Sequence, residues 1–406
     1  MLKHTLPVAI LGKEAAINQD IKCFDSGDEL LNRWFLFYLK ARAKEILLQN
    51  REGTTVQSVK YETLLGAELP VPPAREQRRI IVKLEGLLSK VDACQKRLEK
   101  TSSILRRFRQ SILSAACSGR LTEDWRAAHR NVEPGSELLK RIDSERVRVS
   151  GTRSKPLRPN QKTDGPVLPQ SWFLTTPDRL AAPVRHALAI GPFGSNLKVS
   201  DYTTAGVPLV FVRHIRSGDF RGGNPKFVST AKAKELAAHG IEPLDLLVTK
   251  MGEPPGDCEI YPADFPNAII TADCIKFRVW GKFVERLFIK YAINADVVKG
   301  QLGLITKGAA QQKISLERFK TILLPVPPLA EQKEIVLRVE ALFKFADQIE
   351  ARCATARGSV DQLAESILAK AFRGELVPQD PKDEPAVKFL ERLRGKTPAR
   401  ALAATR

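Results

Sequence analysis

The sequence predicts an α+β protein made of two pseudo-repeated units, each a mixed α/β domain followed by a long helix. Three observations predict this class. The segment LPVPPAREQ at 69–77 returns as LPVPPLAEQ at 324–332, 255 residues later, with seven of nine positions identical. Each copy opens a stretch of about forty residues in which apolar residues recur with heptad spacing. Short β-branched runs, broken by Gly, Pro and Asp, lie between the copies.

The repeat extends beyond this motif in both directions. SILSAACSGRL at 111–121 corresponds to SILAKAFRGEL at 366–376, and Glu62 corresponds to Glu317 at the same offset. A unit of this length is too long for a solenoid repeat. The chain is therefore expected to carry a duplicated domain together with its helix, which gives the molecule a pseudo-two-fold character.

The first long helix is predicted from Arg75 to about Ala116, and the second follows the later motif. Pro-Pro pairs precede both helices, and Gly119 and Gly374 are typical C-terminal stops. Two heptad rows on each helix define one apolar seam: Leu84, Val91, Leu98, Leu105, Ile112 with Ile80, Leu87, Cys94, Thr101, Phe108, Ala115; and Val339, Ala346, Cys353, Val360, Ile367 with Ile335, Leu342, Ile349, Ala356, Leu363.

A single apolar seam on a helix of roughly 60 Å needs a partner. Because the repeat is two-fold, we expect the two long helices to pair in an antiparallel coiled-coil spacer within one chain. A coiled coil that joins two chains is the alternative.

The clearest globular part is the mixed α/β domain at 167–323. Its predicted strands are Val207–Val212, Leu244–Thr249, Ala268–Thr271 and Cys274–Val279. Residues 1–68 resemble only the last part of such a domain, with a possible strand at 17–22 and a helix from Leu30 to Leu48. The remaining predicted parts are helical regions at 69–148 and 324–394, a basic Pro/Gly/Ser-rich linker at 149–166 and a frayed tail at 395–406.

The charge of the chain indicates a polyanionic partner. Lys and Arg number 65 against 46 Asp and Glu, which gives a net charge of +19 and a pI near 9.7. A merely soluble basic protein is the alternative. The six cysteines have no CxxC spacing, which favours reduced thiols in a cytoplasm over a zinc module or disulfide framework. No apolar run reaches membrane-spanning length, so we expect a cytoplasmic protein with no membrane contact.

The sequence contains no convincing catalytic constellation. It lacks a GxxxxGK[ST] loop, a [DN]PP[YF] motif and a glycine-rich cofactor turn. The five histidines are scattered without metal-ligand spacing. We therefore expect no catalytic residue, no metal and no cofactor in this chain.

Several loops carry residues suited to nucleic acid. The loop GPFGSNLK at 191–198 has small residues that let backbone N–H groups approach phosphates, and an Asn that can pair with adenine. The segment 211–223 places cations around a turn, and Arg can read guanine in the major groove. Ordinary turns, a solvated loop and domain packing are the alternatives. The candidate DNA-binding residues are Ser195, Asn196, Lys198, Arg213, His214, Arg216, Arg221, Lys250, Lys307 and Gln312.

These motifs resemble the specificity (S) subunits of type I restriction–modification systems. The resemblance rests on L-P-x-P-P-x-x-E-Q and S-I-L-x-x-A-x-x-G-x-L, each present twice, and on the 191–198 loop with its L-P-x-x-W lead-in at 168–172. It implies two target recognition domains that bind the halves of a split double-stranded DNA site. It also implies helical regions that set their spacing and dock two modification (M) subunits, after which restriction (R) subunits join. Adenine methylation and ATP-dependent cleavage belong to these partners.

The chain departs from this family pattern at its first domain. That domain lacks counterparts of Gly191–Lys198, Arg213 and Lys250 and is expected to be truncated at its N-terminus. One competent recognition domain is the resulting hypothesis. A coiled-coil scaffold that does not read DNA, and a fragment of a fused restriction–methylation enzyme, are the alternatives.

Overall fold

The computed structural model describes residues 6–18, 21–49, 59, 61–154, 168–306 and 312–396. Most of the predicted linker and tail, and the candidate Lys307, lie outside these residues. The described chain divides into two compact units. The first takes the residues up to Ser103 and those from Ile349 onward, and the second runs from Ile104 to Gln348.

Fourteen α-helices form within the described residues. Two of them are 44 residues long and begin next to the Pro-Pro pairs, as predicted. In chain order the helices are α1 Glu29–Ala41, α2 Ala43–Gln49, α3 Tyr61–Leu65, α4 Ala74–Cys117, α5 Glu123–Ala128, α6 Gly135–Ser150, α7 Pro177–Leu180, α8 Val212–Ser217, α9 Thr230–Glu235, α10 Arg286–Asn294, α11 Asp296–Ile305, α12 Leu316–Phe319, α13 Leu329–Phe372 and α14 Ala386–Lys396. None of these helices combines the length and apolar character that a membrane-spanning segment needs.

All strands of the described chain belong to the second unit. They are β1 Phe173–Thr175, β2 Leu188–Ile190, β3 Tyr202–Thr203, β4 Val207–Val210, β5 Phe227–Val228, β6 Gly240–Ile241, β7 Leu246–Thr249, β8 Cys258–Ile260, β9 Ala268–Ile270, β10 Cys274–Phe277 and β11 Leu324–Val326. They form a pair β1-β11, an antiparallel sheet β2-β10-β7-β8 and a mixed sheet β3-β5-β4-β9-β6 in which β4 and β9 are parallel.

The core of the first unit forms where α1 packs on the start of α4 and the end of α13. Trp34 is 1% exposed, its ring lies 4.5 Å from that of Phe372, and its Nε1 donates to the Pro70 carbonyl at 2.6 Å. The Asp28 side chain caps α1 by accepting from the Leu31 amide. The other buried members of this core are Leu31, Phe37, Ile80, Ile81, Leu84, Val91, Ile367, Leu368 and Ala371.

Side-chain pairs in the first unit show that α4 and α13 run in opposite directions. Arg79 near the start of α4 pairs with Asp383, beyond the end of α13, at 2.7 Å. Farther along α4, Gln95 donates to Asp361 at 2.8 Å. The residue numbers rise on one helix as they fall on the other, so the predicted antiparallel pairing is confirmed.

The second unit shows the same antiparallel pairing between the other halves of these helices. Arg109 of α4 pairs with Asp347 of α13 at 2.6 Å. Ile112, Leu113 and Ala116 of α4 and Ile335, Val336 and Val339 of α13 join a single core with the antiparallel sheet and α10. The helical halves are therefore built into the globular domain.

Burial along the long helices corrects part of the predicted seam. The rows through Leu84 and Val339 are buried or half-buried throughout, as the heptads predicted. In the companion rows, however, Cys94 is exposed and Leu363 is 52% exposed. Leu368 and Ala364 take the place of Leu363 against the first-unit core.

The start of the first unit also differs from the prediction. Residues 6–18 and 21–28 contain no strand among their described positions, and residues 19 and 20 of the possible strand lie outside the described residues. The helix predicted from Leu30 to Leu48 is two helices, because the backbone leaves the helical conformation at Arg42 with φ −99° and ψ 6°.

The Glu-Gln pair of the second repeated motif is a buried anchor for α13. Glu331 is fully buried and accepts hydrogen bonds from Thr122 Oγ1 at 2.7 Å, Arg126 Nη1 at 2.5 Å and Trp172 Nε1 at 2.9 Å. The Gln332 side chain accepts from the Glu285 amide and donates to the Pro327 carbonyl. A buried carboxylate held this way is satisfied and lies at a helix N-terminus, where negative charge is favoured.

The same pair in the first motif lacks these partners. Glu76 is 5% exposed and accepts no hydrogen bond from another described residue, and the amide group of Gln77 is buried without a partner among those residues. Burial raises the pKa of Glu76 above its usual value, and Arg79 opposes this only in part. The same Glu-Gln pair therefore contributes differently to folding stability in the two units.

Substitutions of Glu331 and Glu76 are expected to change the folding stability in opposite directions. We expect Glu331→Gln to destabilise the chain by about 3 kcal/mol, because it removes a fully buried charge that pairs with the half-buried Arg126 guanidinium. We expect Glu76→Gln to raise stability at neutral pH, because the charged form of Glu76 is disfavoured by burial. Thermal unfolding of the two variants measures both effects.

The pH dependence provides the control for this pair. A carboxyl whose folded pKa is raised holds its proton longer in the folded state. The unmodified chain should therefore lose stability relative to Glu76→Gln as the pH rises from the usual glutamate pKa through the raised one. If Glu76→Gln and Glu331→Gln both lost the same amount of folding stability at every pH, this interpretation would be contradicted.

Candidate nucleic-acid interface

In the antiparallel sheet, the loops that follow β2 and β7 and the turn that precedes β10 lie at one edge. β2 and β7 both flank β10, with Ile190 and Val248 opposite Ile275. Because both pairs are antiparallel, β2 and β7 end where β10 begins. The loops after Ile190 and after Thr249 therefore leave the sheet next to the turn that precedes β10.

Backbone hydrogen bonds fix these loops around the turn at 271–274. The Gly191 amide donates to the Cys274 carbonyl at 3.0 Å, and the Lys250 amide donates to the Asp273 carbonyl at 2.7 Å. The Thr271 amide donates to Val210 at the end of β4, which brings in the segment with α8. Residues 312–314 join through the bonds Gly252 N–H to Gln312 O and Ile314 N–H to Lys250 O.

We call residues 191–198, 211–221, 250–257, 271–274 and 312–314 the strand-end cluster. It collects all the candidate DNA-binding residues of the sequence that the structure describes, although they come from four separate segments of chain. The order of these segments in the sequence does not predict that they lie together. The parallel pairing of β4 with β9 and the antiparallel pairing of β10 produce this arrangement.

The loop at 191–198 is rigid at its base and open at its tip. An added Cβ at Gly191 would lie 1.9 Å from the Thr271 carbonyl oxygen, so only glycine fits there. Pro192 is buried, and the Asn196 amide closes a turn onto the Phe193 carbonyl at 2.8 Å. Ser195, Asn196 and Lys198 are exposed at the tip.

Arg213 is the arginine of this cluster best placed to bind an anion. Its guanidinium stacks 4.3 Å from the centroid of the Phe211 ring, and Nη2 donates to the Asn224 carbonyl at 3.2 Å. Among the described residues it has no carboxylate partner. Phe211 and Leu197 pack on the same small core, which places Arg213 beside the loop that carries Asn196 and Lys198.

Arg216 and Arg221 are held by carboxylates. Arg216 pairs with Asp257 at 3.2 Å and donates to the Pro254 carbonyl at 3.0 Å, so it braces the loop after β7. Arg221 pairs with Asp264 and lies 5.2 Å from the Phe265 ring centroid. The charge of each is balanced within the chain, and the geometry favours bracing roles for both.

His214 does not extend towards solvent as the sequence suggested. The side chain is 6% exposed, and its Nδ1 accepts from the Phe211 amide at 3.3 Å. Burial, together with neighbouring Arg213, lowers the pKa of His214 below its usual value. The role of His214 in DNA binding stays a prediction, and its burial leaves little of the imidazole surface open to a partner.

Lys250 is half-buried at the base of the cluster. Its Nζ donates to the Ala272 carbonyl at 3.0 Å and lies 6.0 Å from the centroid of the Phe193 ring. An ammonium group has three donors, so two remain for an anion. Gln312 is exposed at the edge of the cluster.

Phe193 is a feature of this surface that sequence reasoning missed. It is 67% exposed at the loop tip, between a buried proline and an open glycine. In DNA-binding proteins, exposed apolar side chains contact thymine methyl groups or insert between base steps. The available signal was a large aromatic residue within a run of Gly, Pro, Ser and Asn.

Comparison with known families decides the identity of the fold. The sequence profile of the type I restriction modification DNA specificity domain matches residues 3–102 and 258–354. These two stretches begin 255 residues apart, the same offset as the internal repeat. The chain belongs to the family of type I restriction–modification specificity subunits. As a member, it is a DNA-recognition subunit.

Relatives of this specificity subunit match over most of the chain. The type I restriction enzyme EcoBI specificity subunit of Escherichia coli is 28% identical over 365 residues, 90% of this chain and 70% of the relative. The EcoKI subunit of Escherichia coli strain K12 is 28% identical over 80% of this chain, and this chain covers 61% of it. The EcoDI subunit of Escherichia coli is 29% identical over 86% of this chain and 71% of the relative.

A solved structure supports the fold of the specificity subunit. One chain, from work on complex assembly and conformational transition of the type I R-M system, aligns with a TM-score of 0.52 and 16% identity. The alignment covers 84% of this chain and 71% of that one.

The close approach at Gly191 can be tested within its own loop. We expect Gly191→Ala to destabilise the second unit by roughly 2 kcal/mol, because the new Cβ overlaps a backbone oxygen that has little freedom to move. Gly194→Ala, three residues away with open space at its Cβ, is the matched control and should leave stability unchanged. Urea unfolding of the full chain measures the difference, and equal midpoints would contradict the geometry.

Proposed function

We propose that the strand-end cluster of the second unit binds one half of a bipartite double-stranded DNA site. The observation that carries this proposal is the convergence of uncompensated cations and exposed amide and hydroxyl groups at one edge of a rigid sheet. Phosphate contacts from such cations give salt-dependent affinity, and side chains that reach base edges give sequence choice.

Within this cluster the exposed residues fall into two proposed roles. Asn196 and Arg213 are assigned to base reading, because Asn pairs with adenine and Arg with guanine through two hydrogen bonds each. Lys198 and Lys250 are assigned to phosphates, as flexible or braced point charges. Ser195 and Gln312 border the reading residues, and Arg216 and Arg221 hold the loops in place.

The helical regions have a separate proposed role. The regions at 69–148 and 324–394 set the position of the recognition domain at 167–323 and dock two modification subunits, with restriction subunits joining through the complex. The relatives are specificity subunits of restriction enzymes, which supports partners of this kind. Six free thiols are consistent with a reducing cytoplasm as the proposed location.

Four substitutions separate reading from positioning. We expect Arg213→Ala and Asn196→Ala to weaken binding to the preferred half-site by about 1–3 kcal/mol each while leaving other duplexes unaffected. We expect Lys198→Ala and Lys250→Ala to weaken all duplexes alike and to reduce the slope of log affinity against log salt by about one. Fluorescence anisotropy titrations of the full chain over a salt series measure both quantities.

Arg185 provides a control for these binding measurements. Arg185→Ala removes an exposed cation before β2, at the opposite end of the sheet, and should change neither quantity. If the two groups of variants lost affinity for preferred and random duplexes in the same proportion, the assignment of roles would be wrong. If unmodified chain showed no duplex binding at moderate salt, the proposed function itself would fail.

A further inference from the structure

Phe193 is the one aromatic or aliphatic side chain of the strand-end cluster that is exposed among the described residues. Its exposed fraction is 67%, whereas Phe211 and Phe220 of the same cluster pack against neighbouring rings. Phe193 belongs to none of the hydrophobic cores of the described chain. The described chain therefore gains little stability from this ring, and a bound partner would cover it.

The backbone that carries Phe193 is fixed on both sides. The preceding Pro192 is buried, and the Gly191 amide before it donates to the Cys274 carbonyl at 3.0 Å. On the other side, the Asn196 amide donates to the Phe193 carbonyl at 2.8 Å. An aromatic side chain with few rotatable bonds, held on such a backbone, loses little conformational entropy when it binds. The ring is therefore prepared for a specific contact.

This turn also sets how far apart Phe193 and Asn196 can bind. The first and fourth residues of a hydrogen-bonded turn have Cα atoms less than about 7 Å apart. Successive bases along one DNA strand are about 3.4 Å apart. The two side chains therefore reach positions within about two base pairs of each other. Asn196 is assigned above to adenine, whose paired donor and acceptor lie in the major groove. Phe193 enters the same groove.

One base presents an apolar group in the major groove. Thymine carries a methyl group at C5, whereas the other bases present hydrogen-bond donors and acceptors there. A phenyl ring has no hydrogen-bonding atom, so covering a polar base edge costs free energy. Covering a methyl group removes apolar surface from water and is favourable. The chemistry of Phe193 therefore selects thymine.

We infer that Phe193 is a specificity-determining residue that contacts the methyl group of a thymine within about two base pairs of the adenine read by Asn196. This inference rests on the proposed function, because it adds one base preference to the same half-site. The Lys250 ammonium group lies 6.0 Å from the ring centroid, so a phosphate contact and a base contact adjoin here.

Insertion of the ring between two base pairs is the other use of an exposed apolar side chain in DNA binding. Such wedges enter from the minor groove. Asn196 and Arg213 are assigned to patterns of the major groove, and Phe193 shares a short turn with Asn196. This placement favours contact with a methyl group. The two uses differ in a measurable way, because insertion does not depend on the methyl group.

Replacing thymine by deoxyuridine removes this methyl group and leaves the hydrogen-bonding edge of the base unchanged. The preferred half-site is obtained by selection from randomised duplexes, and Asn196→Ala identifies the adenine. Thymines near it, on either strand, are then replaced one at a time. In anisotropy titrations of the full chain, we expect one replacement to weaken binding about fourfold, as for the loss of one buried apolar carbon. Phe193→Ala should bind the thymine and deoxyuridine duplexes with equal affinity.

Two further variants separate the contact from a general effect on the loop. Phe193→Leu keeps an apolar side chain and should retain part of the thymine preference. Val184→Ala shortens an apolar side chain that is 52% exposed before β2, at the opposite end of the sheet. It is the matched control and should retain the full preference. Because both side chains are exposed, all three variants should unfold at the urea midpoint of the unmodified chain.

The contradicting results are distinct. A thymine preference of unchanged size in Phe193→Ala would overturn the inference. Equal affinity of the unmodified chain for every thymine and deoxyuridine duplex would also overturn it, and a loss in Phe193→Ala that is the same for both duplexes would then indicate insertion. If the unmodified chain bound no duplex at moderate salt, the proposed function would fail, and this inference with it.

Discussion

The antiparallel packing of α4 against α13 is the constraint on which the rest of the structure depends. Neither helix is stable alone in water, because one apolar stripe on a charged helix must be covered. The pair is best buried near its ends, where Ile80, Leu84 and Ile367 join the first core and Ile112 and Ile335 join the second. Between these ends, Leu98 and Val360 are only half-buried. The two domain cores therefore stabilise the pair, and the pair in turn completes each core.

The repeated LPVPP motif performs this joining. In the second copy, β11 pairs with β1, and Glu331 gathers Thr122, Arg126 and Trp172 at the start of α13. One carboxylate thus ties the end of α4, the start of the recognition domain and the start of α13. In the first copy the same letters remain, but Glu76 and Gln77 have none of these donors among the described residues. The repeated sequence therefore gives the same backbone structure in both units, but the side-chain contacts that stabilise it differ.

Features with a local cause could be predicted from the sequence. The helix starts at the Pro-Pro pairs, the stops before Gly119 and Gly374, and the buried row through Leu84 all follow from spacing and turn chemistry. The missed features are non-local. Leu363 fits the heptad but faces solvent, because α1 and its aromatic residues cover a neighbouring stripe. His214 is buried by Phe220 and its neighbours, and Arg216 meets Asp257 from 41 residues away. Such contacts depend on tertiary packing, which no local pattern contains. The convergence of the candidate loops depends likewise on the order of strands in the sheets.

The opposed direction of the two long helices within one chain is the central claim, and cysteine cross-linking tests it most directly. Gln95 and Asp361 are hydrogen-bonded partners across the pair, so cysteines at both positions, with Cys94 and Cys353 replaced by serine, should be joined within one chain by a short bifunctional thiol reagent. Denaturing electrophoresis should then show a cross-linked monomer of increased mobility. In parallel helices, Gln95 would instead face a position near Glu350. A cross-link between those two positions in place of the first, or a cross-linked dimer, would contradict the account.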